Sequence, residues 1–501
     1  MTISRRGFLI GSAAATGSLL NLPPVLTAET TTPDIVRFAG EFEKYVRLIE
    51  DTPRNRAVEV LAHELKKGMT YQQFLGSMFL AGIRNVNPQP PGFSFHCVFM
   101  IHSCNYLAKM GPADERYLPL FLALDDFKKA QDFDTKRDEG NFVLREPSRL
   151  ALSGQKAWKA FHAAMDDWDE AGADAAITSI ARQSSMDEVF EELWEYGARD
   201  FRNIGHKIIF VAHAHRTLQE IGWENAEPTL RSLMLGLLDF GKKEVVNAYG
   251  FEDQGYMGNR ELTRTTIDSL PGDWADTRPM RSATLELLDA MRAGDVEGAS
   301  RLCVSHLRAG TCKAGAVWDA VHLAGCELMM KQPGIAGIHT VTSANAMRYA
   351  FRTSKKSETR LLLVLQGVAW MAQFRNFMKP EKDKAIRITE LNATEVERSQ
   401  GKAVESIMET VTNDAESAAQ MAFSYDEKFD SSAPLIQAAR HNVCMKLREH
   451  HQVKWPAAIF EDYALVSPEY RPHLLAASMY YLRGDRHRNS PVTERALAEL
   501  G

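Results

Sequence analysis

The chain has 501 residues, 45% hydrophobic and 25% charged, with a formal net charge of −6. That is ordinary globular composition, with length for two or three units of about 150 residues. Mild acidity without a basic run argues against a nucleic-acid partner. No stretch of the mature chain has the roughly 20 apolar residues that a membrane span needs.

The N-terminus reads Ser4-Arg5-Arg6-Gly7-Phe8-Leu9, then an uncharged stretch to Leu22, then Pro23-Pro24-Val25-Leu26-Thr27-Ala28. Adjacent arginines before a short apolar run rich in Gly, Ser and Ala resemble a twin-arginine export signal, with cleavage after Ala28. On that reading residues 1–28 are the signal, the export machinery is a partner, and the mature protein is periplasmic or extracellular. The route carries folded proteins, often with a cofactor already inserted. An ordinary export signal or an uncleaved anchor is the alternative.

Helical periodicity dominates after Pro33. Phe38, Phe42, Tyr45, Val46 and Ile49 recur at spacings of three and four, as do Val58, Leu61 and Leu65. Thr70 is placed to cap a helix running to Asn85, with Gln73 completing a capping box. The break Asn87-Pro88-Gln89-Pro90-Pro91-Gly92 stops it. Further helices are expected over 95–110, 115–131, 156–168, 171–183, 186–199, 203–220 and 225–240. The Gly- and Pro-containing stretch Tyr249–Arg281 reads as a loop or lobe boundary between lobes 29–248 and 282–501. Beyond it, helices are expected over 282–293, 296–308, 314–331, 339–352, 358–376, 385–422, 431–450 and 470–482. No sustained strand alternation and no fixed repeat occur. The expected fold is therefore all-α, an irregular array of antiparallel helix pairs around a long core, not a regular solenoid.

Six cysteines without a CxxC give no zinc ribbon and no thioredoxin-type pair. In an oxidising compartment Cys303 and Cys312 could close a short loop, while buried free thiols are the alternative state.

Three segments concentrate histidine among small and polar residues. In Gly92-Phe93-Ser94-Phe95-His96, His96 falls near a helix start, where the dipole keeps an imidazole neutral for metal ligation or base chemistry. His102, six residues on, faces elsewhere on a helix. In Arg199-Asp200-Phe201-Arg202-Asn203-Ile204-Gly205-His206-Lys207, His206 and His213 share a face two turns apart, about 10 Å along the axis and too far for one ion. In the third segment, Trp318 to Glu327 carries His322, and Ile338-His339-Thr340-Val341-Thr342-Ser343 opens a helix after Pro333-Gly334. Polar groups beside the orphan N–H donors of a helix start make a carbonyl-binding corner. HExxH, GxSxG, GxxxxGK[ST] and CxxCH are all absent, so any site is assembled from helices distant in sequence.

Ile338-His339-Thr340-Val341-Thr342-Ser343-Ala344-Asn345-Ala346, Gly205-His206-Lys207-Ile208-Ile209 and Gly92-Phe93-Ser94-Phe95-His96 resemble the His-bearing helices of the questin oxidase-like family. The segment Arg199–Leu233 is also similar to exported bacterial proteins without an assigned function. The family resemblance implies an all-α oxidoreductase, monooxygenase-like, inserting oxygen into an aromatic ketone, with His96, His206 and His339 at the site. An exported relative departs from this in lacking ready access to NADPH.

The leading expectation is thus an exported oxidoreductase acting on an apolar or aromatic small molecule. His96, His206 and His339 would be ligands of a transition metal (iron, copper or zinc) or acid–base groups. Asp200 or Glu327 would orient an imidazole, and His213, His322 and Thr342 would line the substrate. The alternative is a non-catalytic, exported helical protein that binds a ligand or partner.

Overall fold

The computed structural model describes residues 34–137, 142–147, 152–239, 252–378 and 384–501; the expected export signal lies outside them. Among the described residues there are 22 α-helices and no strand, so the fold is all-α. One isolated antiparallel bridge, Ile35 to Arg145, ties the first described residues to the loop at 142–147.

Local chemistry explains the clearest elements. The helix Tyr71–Asn85 opens on the expected capping box: Thr70 Oγ1 accepts from the Gln73 N–H, and Gln73 Oε1 accepts from the Thr70 N–H. Ser185 and Glu188 repeat the device at the start of Met186–Gly197. Two expectations need correction. The helix expected over 385–422 is two, Gln400–Thr410 and Ala415–Lys428, because the Asp414 carboxylate takes the Ser417 N–H at 3.0 Å and starts a new helix. The helix expected over 431–450 ends at Lys446. A separate helix, His451–Leu465, follows with Pro456 inside it.

The stretch expected as a loop or lobe boundary bonds to both halves in its described part. Its described part contains the helix Gln254–Thr266, whose Tyr256 hydroxyl donates to Glu195 at 2.6 Å and whose Asn259 amide donates to Gln366 at 2.8 Å. One continuous apolar core runs through both halves, with Trp194, Trp318, Trp370 and Trp455 among its fully buried members. All six cysteines are free and buried, Cys303 and Cys312 included. No described helix is long and apolar enough to cross a membrane.

Four helices matter for the site: α1 (His96–Met110), α2 (His206–Ile221), α3 (Ile335–Thr353) and α4 (His451–Leu465). They pack side by side in the core, and their first turns meet at one cleft.

A candidate metal centre built from helix starts

The cleft, about 720 Å³ in volume, has histidines at its floor and an apolar rim. Phe93, Phe133 and Ile335 are at its mouth, 68%, 48% and 55% exposed, when few other large apolar side chains reach solvent at all.

The floor brings His96, His206 and His339 together from stretches more than 100 residues apart. His206 Nε2 lies 3.0 Å from His96 Nε2 and 2.9 Å from His339 Nε2. Each Nδ1 is committed elsewhere, to a backbone carbonyl: His96 to Phe93 at 2.7 Å, His206 to Asn203 at 2.6 Å, His339 to Ile335 at 2.6 Å. A carbonyl accepts only from an N–H, so every Nδ1 carries the proton and every Nε2 presents a lone pair. Three lone pairs at this separation repel unless a cation or a proton lies among them. Bonds of about 2.0–2.1 Å to a metal would set neighbouring nitrogens roughly 2.9 Å apart at a right angle and roughly 3.4 Å apart at the tetrahedral angle. The observed separations fall at the lower end of that range.

Two further histidines complete the floor, and sequence reasoning missed both. His451, the first residue of α4, has its ring 4.6 Å from that of His96 and 5.5 Å from that of His339. Its Nδ1 is held by Glu449 at 2.7 Å, and its buried Nε2 has no partner. His450 stacks on His96 with ring centres 4.1 Å apart and approaches Asp126 at 3.3 Å. His96, His206 and His339 form one group able to hold an ion, and His96, His450 and His451 form another. The available signal was the His450-His451 pair itself, hidden because the region read as the end of a helix.

The local fold explains why these rings converge. The turn before α2 places Asn203 (φ 58°) and Ile204 (φ 46°) in the left-handed region, followed by Gly205 at φ 94°. A Cβ on Gly205 would stand 2.6 Å from Ser343 of α3, so only glycine allows α2 this close. Phe93, whose carbonyl holds His96, is also left-handed at φ 49°. Two of the three orienting carbonyls therefore belong to strained residues, a pattern concentrated at functional sites.

Asp200 touches no imidazole. Its carboxylate accepts from the Arg202 N–H at 3.0 Å and from Lys207 Nζ at 3.0 Å, and Lys207 also donates to the Asp239 carbonyl. This buried network braces the left-handed turn, so Asp200 acts on His206 through the backbone. Glu327 is remote in function as well: Arg292 and Lys331 hold it, for example Lys331 at 2.9 Å. The imidazoles are oriented by carbonyls and Glu449, which the sequence did not single out, because a carbonyl has no residue-type signature.

The expected substrate-lining residues lie outside the cleft. His213 donates from Nδ1 to the Phe99 carbonyl at 2.6 Å, deeper along α2. His322 is buried with Nδ1 at 3.3 Å from Asp462. Thr342 bonds back to the Ile338 carbonyl at 3.1 Å.

Electrostatics keeps the floor neutral. Burial drives the protonation of His96, His206 and His339 well below the ordinary imidazole range, and the nearby Lys454 ammonium pushes the same way. The helix dipole foreseen for His96 acts in the same direction, but burial is the largest cause. His451 falls to about 4, mainly through burial and against the pull of Glu449. Neutral, pre-oriented imidazoles are the form that ligates a metal.

The chain is thus an all-α protein with a histidine-lined cleft at the meeting point of four helix starts. Comparison with protein-family models, curated proteins and solved structures finds no match.

Proposed function

We propose that this protein is an exported, metal-dependent oxidoreductase acting on an apolar or aromatic small molecule. His96, His206 and His339 hold the ion through Nε2, and His451 supplies a fourth nitrogen with Glu449 behind it. An all-nitrogen, neutral donor set suits iron, copper or zinc. Zinc has no redox chemistry, so the oxidoreductase reading takes iron or copper. The observation that carries the proposal is the approach of His206 Nε2 to within 3.0 Å of both His96 Nε2 and His339 Nε2 while every Nδ1 is bonded away.

When bound, the ion would supply the redox chemistry. The chain's own residues supply the rest. Carbonyls of Phe93, Asn203 and Ile335 hold the imidazoles in one tautomer. The rim of Phe93, Phe133 and Ile335 receives an apolar body and excludes water over the floor. The resemblance of three short segments to questin oxidase-like proteins favours an aromatic substrate, and the Arg5-Arg6 segment favours export in folded, metal-loaded form.

Metal analysis of protein purified without a His-tag tests this. About one iron or copper per chain is expected, falling below a tenth of that in a His206→Ala, His339→Ala double variant, as structural metal sites lose affinity with their ligands. No bound metal, or the same content in the double variant, overturns it.

A further inference from the structure

Following the four helices inward from the cleft, the core turns polar where an apolar interior would be expected. His102 and Ser103 of α1, His213 and Arg216 of α2, Thr342 and Asn345 of α3, and Lys454 and Glu461 of α4 surround a void of about 10 Å³, close to the size of one water. Most of these groups are satisfied. Arg216 bonds His102 Nε2 at 2.7 Å and Glu461 at 2.9 Å, and Asn345 donates to Glu461 and Asp462 at 2.9 Å.

Lys454 is the exception. Its side chain is 1% exposed and Nζ has no hydrogen-bond partner. It stands one turn after His451 on α4, and helical side chains lean back towards the N-terminus, which brings the ammonium under the histidine floor. Nζ lies 5.1 Å from the centre of the Phe99 ring, and that ring stacks on His206 with centres 5.8 Å apart. Glu449 and Asp126 favour the charged form from a distance. Both are engaged, Glu449 by His451 and Tyr481, Asp126 by His450. A buried, unpartnered ammonium is costly, and four neutral imidazoles around a divalent ion add positive charge beside it. The positive ends of the helix dipoles point the same way.

We propose that the centre binds a small inorganic anion, of the size of fluoride or hydroxide, on its inner side, bonded to the metal and hydrogen-bonded to Lys454 Nζ. The proposal rests on the reading that the histidines hold a metal. It divides the site by chemistry: the apolar substrate enters from the Phe93 side, and the anion sits on the opposite, polar side. Burial pulls the Lys454 ammonium down to about 7, which is the cost that an anionic neighbour would remove.

The test is titration of the cobalt(II)-loaded full-length protein with sodium fluoride, followed in its absorption spectrum. Wild type is expected to form a saturable fluoride complex. Lys454→Met and Lys454→Gln should weaken it by about tenfold or more, the loss of one charge-assisted hydrogen bond, while Lys454→Arg should stay within roughly threefold. Cobalt content should be equal in all four proteins. Unchanged fluoride affinity in both neutral variants, or no fluoride complex in wild type, overturns the anion site and leaves the metal centre standing. Failure of wild type to bind cobalt removes the metal reading and this one with it.

Discussion

At the scale of single residues, the centre depends on backbone atoms more than on side chains that could be named in advance. The Asn203 carbonyl reaches His206 only because Asn203 and Ile204 both adopt left-handed angles. For a β-branched residue such as Ile204 that conformation is a true outlier, costing roughly 1–2 kcal/mol. Ile204→Gly should therefore unfold at nearly the wild-type temperature, because relief of strain offsets the loss of a half-buried side chain. The same change loosens the carbonyl that orients His206, so metal affinity should fall by about tenfold, as for other groups that hold a ligand in place. Thermal unfolding and a competitive metal titration measure the two effects separately. A large stability loss with unchanged metal affinity would contradict the account.

At the scale of elements, four helices contribute the clustered imidazoles and the rest support them. Tyr71–Asn85 is a supporting helix, sealed at its start by Thr70 and Gln73. Thr70→Ala should cost about 1 kcal/mol of stability and leave metal content at the wild-type value; thermal denaturation and metal analysis check both halves of that statement. The helix α4 is the informative contrast. It carries His451, Lys454 and Glu461 on one side, yet its periodicity is interrupted by Pro456, which removes one intrahelical N–H. Packing of Trp455, Ile459 and Phe460 in the core holds it helical regardless.

At the scale of the whole molecule, burial of histidine couples stability to pH. His96, His206, His213, His322, His339 and His451 are all harder to protonate in the folded protein than in the unfolded chain, with His213 near 3 and His451 near 4. Below the unfolded value of about 6.5 the unfolded chain binds more protons than the folded one, so stability is lost as pH falls and is fully present above it. Each such histidine contributes a slope of roughly 1.4 kcal/mol per pH unit. The metal-free protein should lose thermal stability steeply between pH 6.5 and about 4, and bound metal should deepen the loss because protons displace it. A melting temperature flat over that window would sink this prediction.

Much of the architecture was legible in the order of residues. Spacings such as Phe38, Phe42, Tyr45 and Ile49, and caps such as Thr70 with Gln73, act over one or two turns, so they announce helices and the all-α class directly. His96, His206 and His339 could be singled out because each stands at or near a helix start beside small residues. What no linear pattern contains is the meeting of those three rings, the arrival of His450 and His451 beside them, and the solitary Lys454 below. Those depend on packing that brings α1, α2, α3 and α4 to one point, and on carbonyls whose direction follows from backbone angles. Ligation and orientation are properties of distances across the core, and only the folded chain supplies such distances.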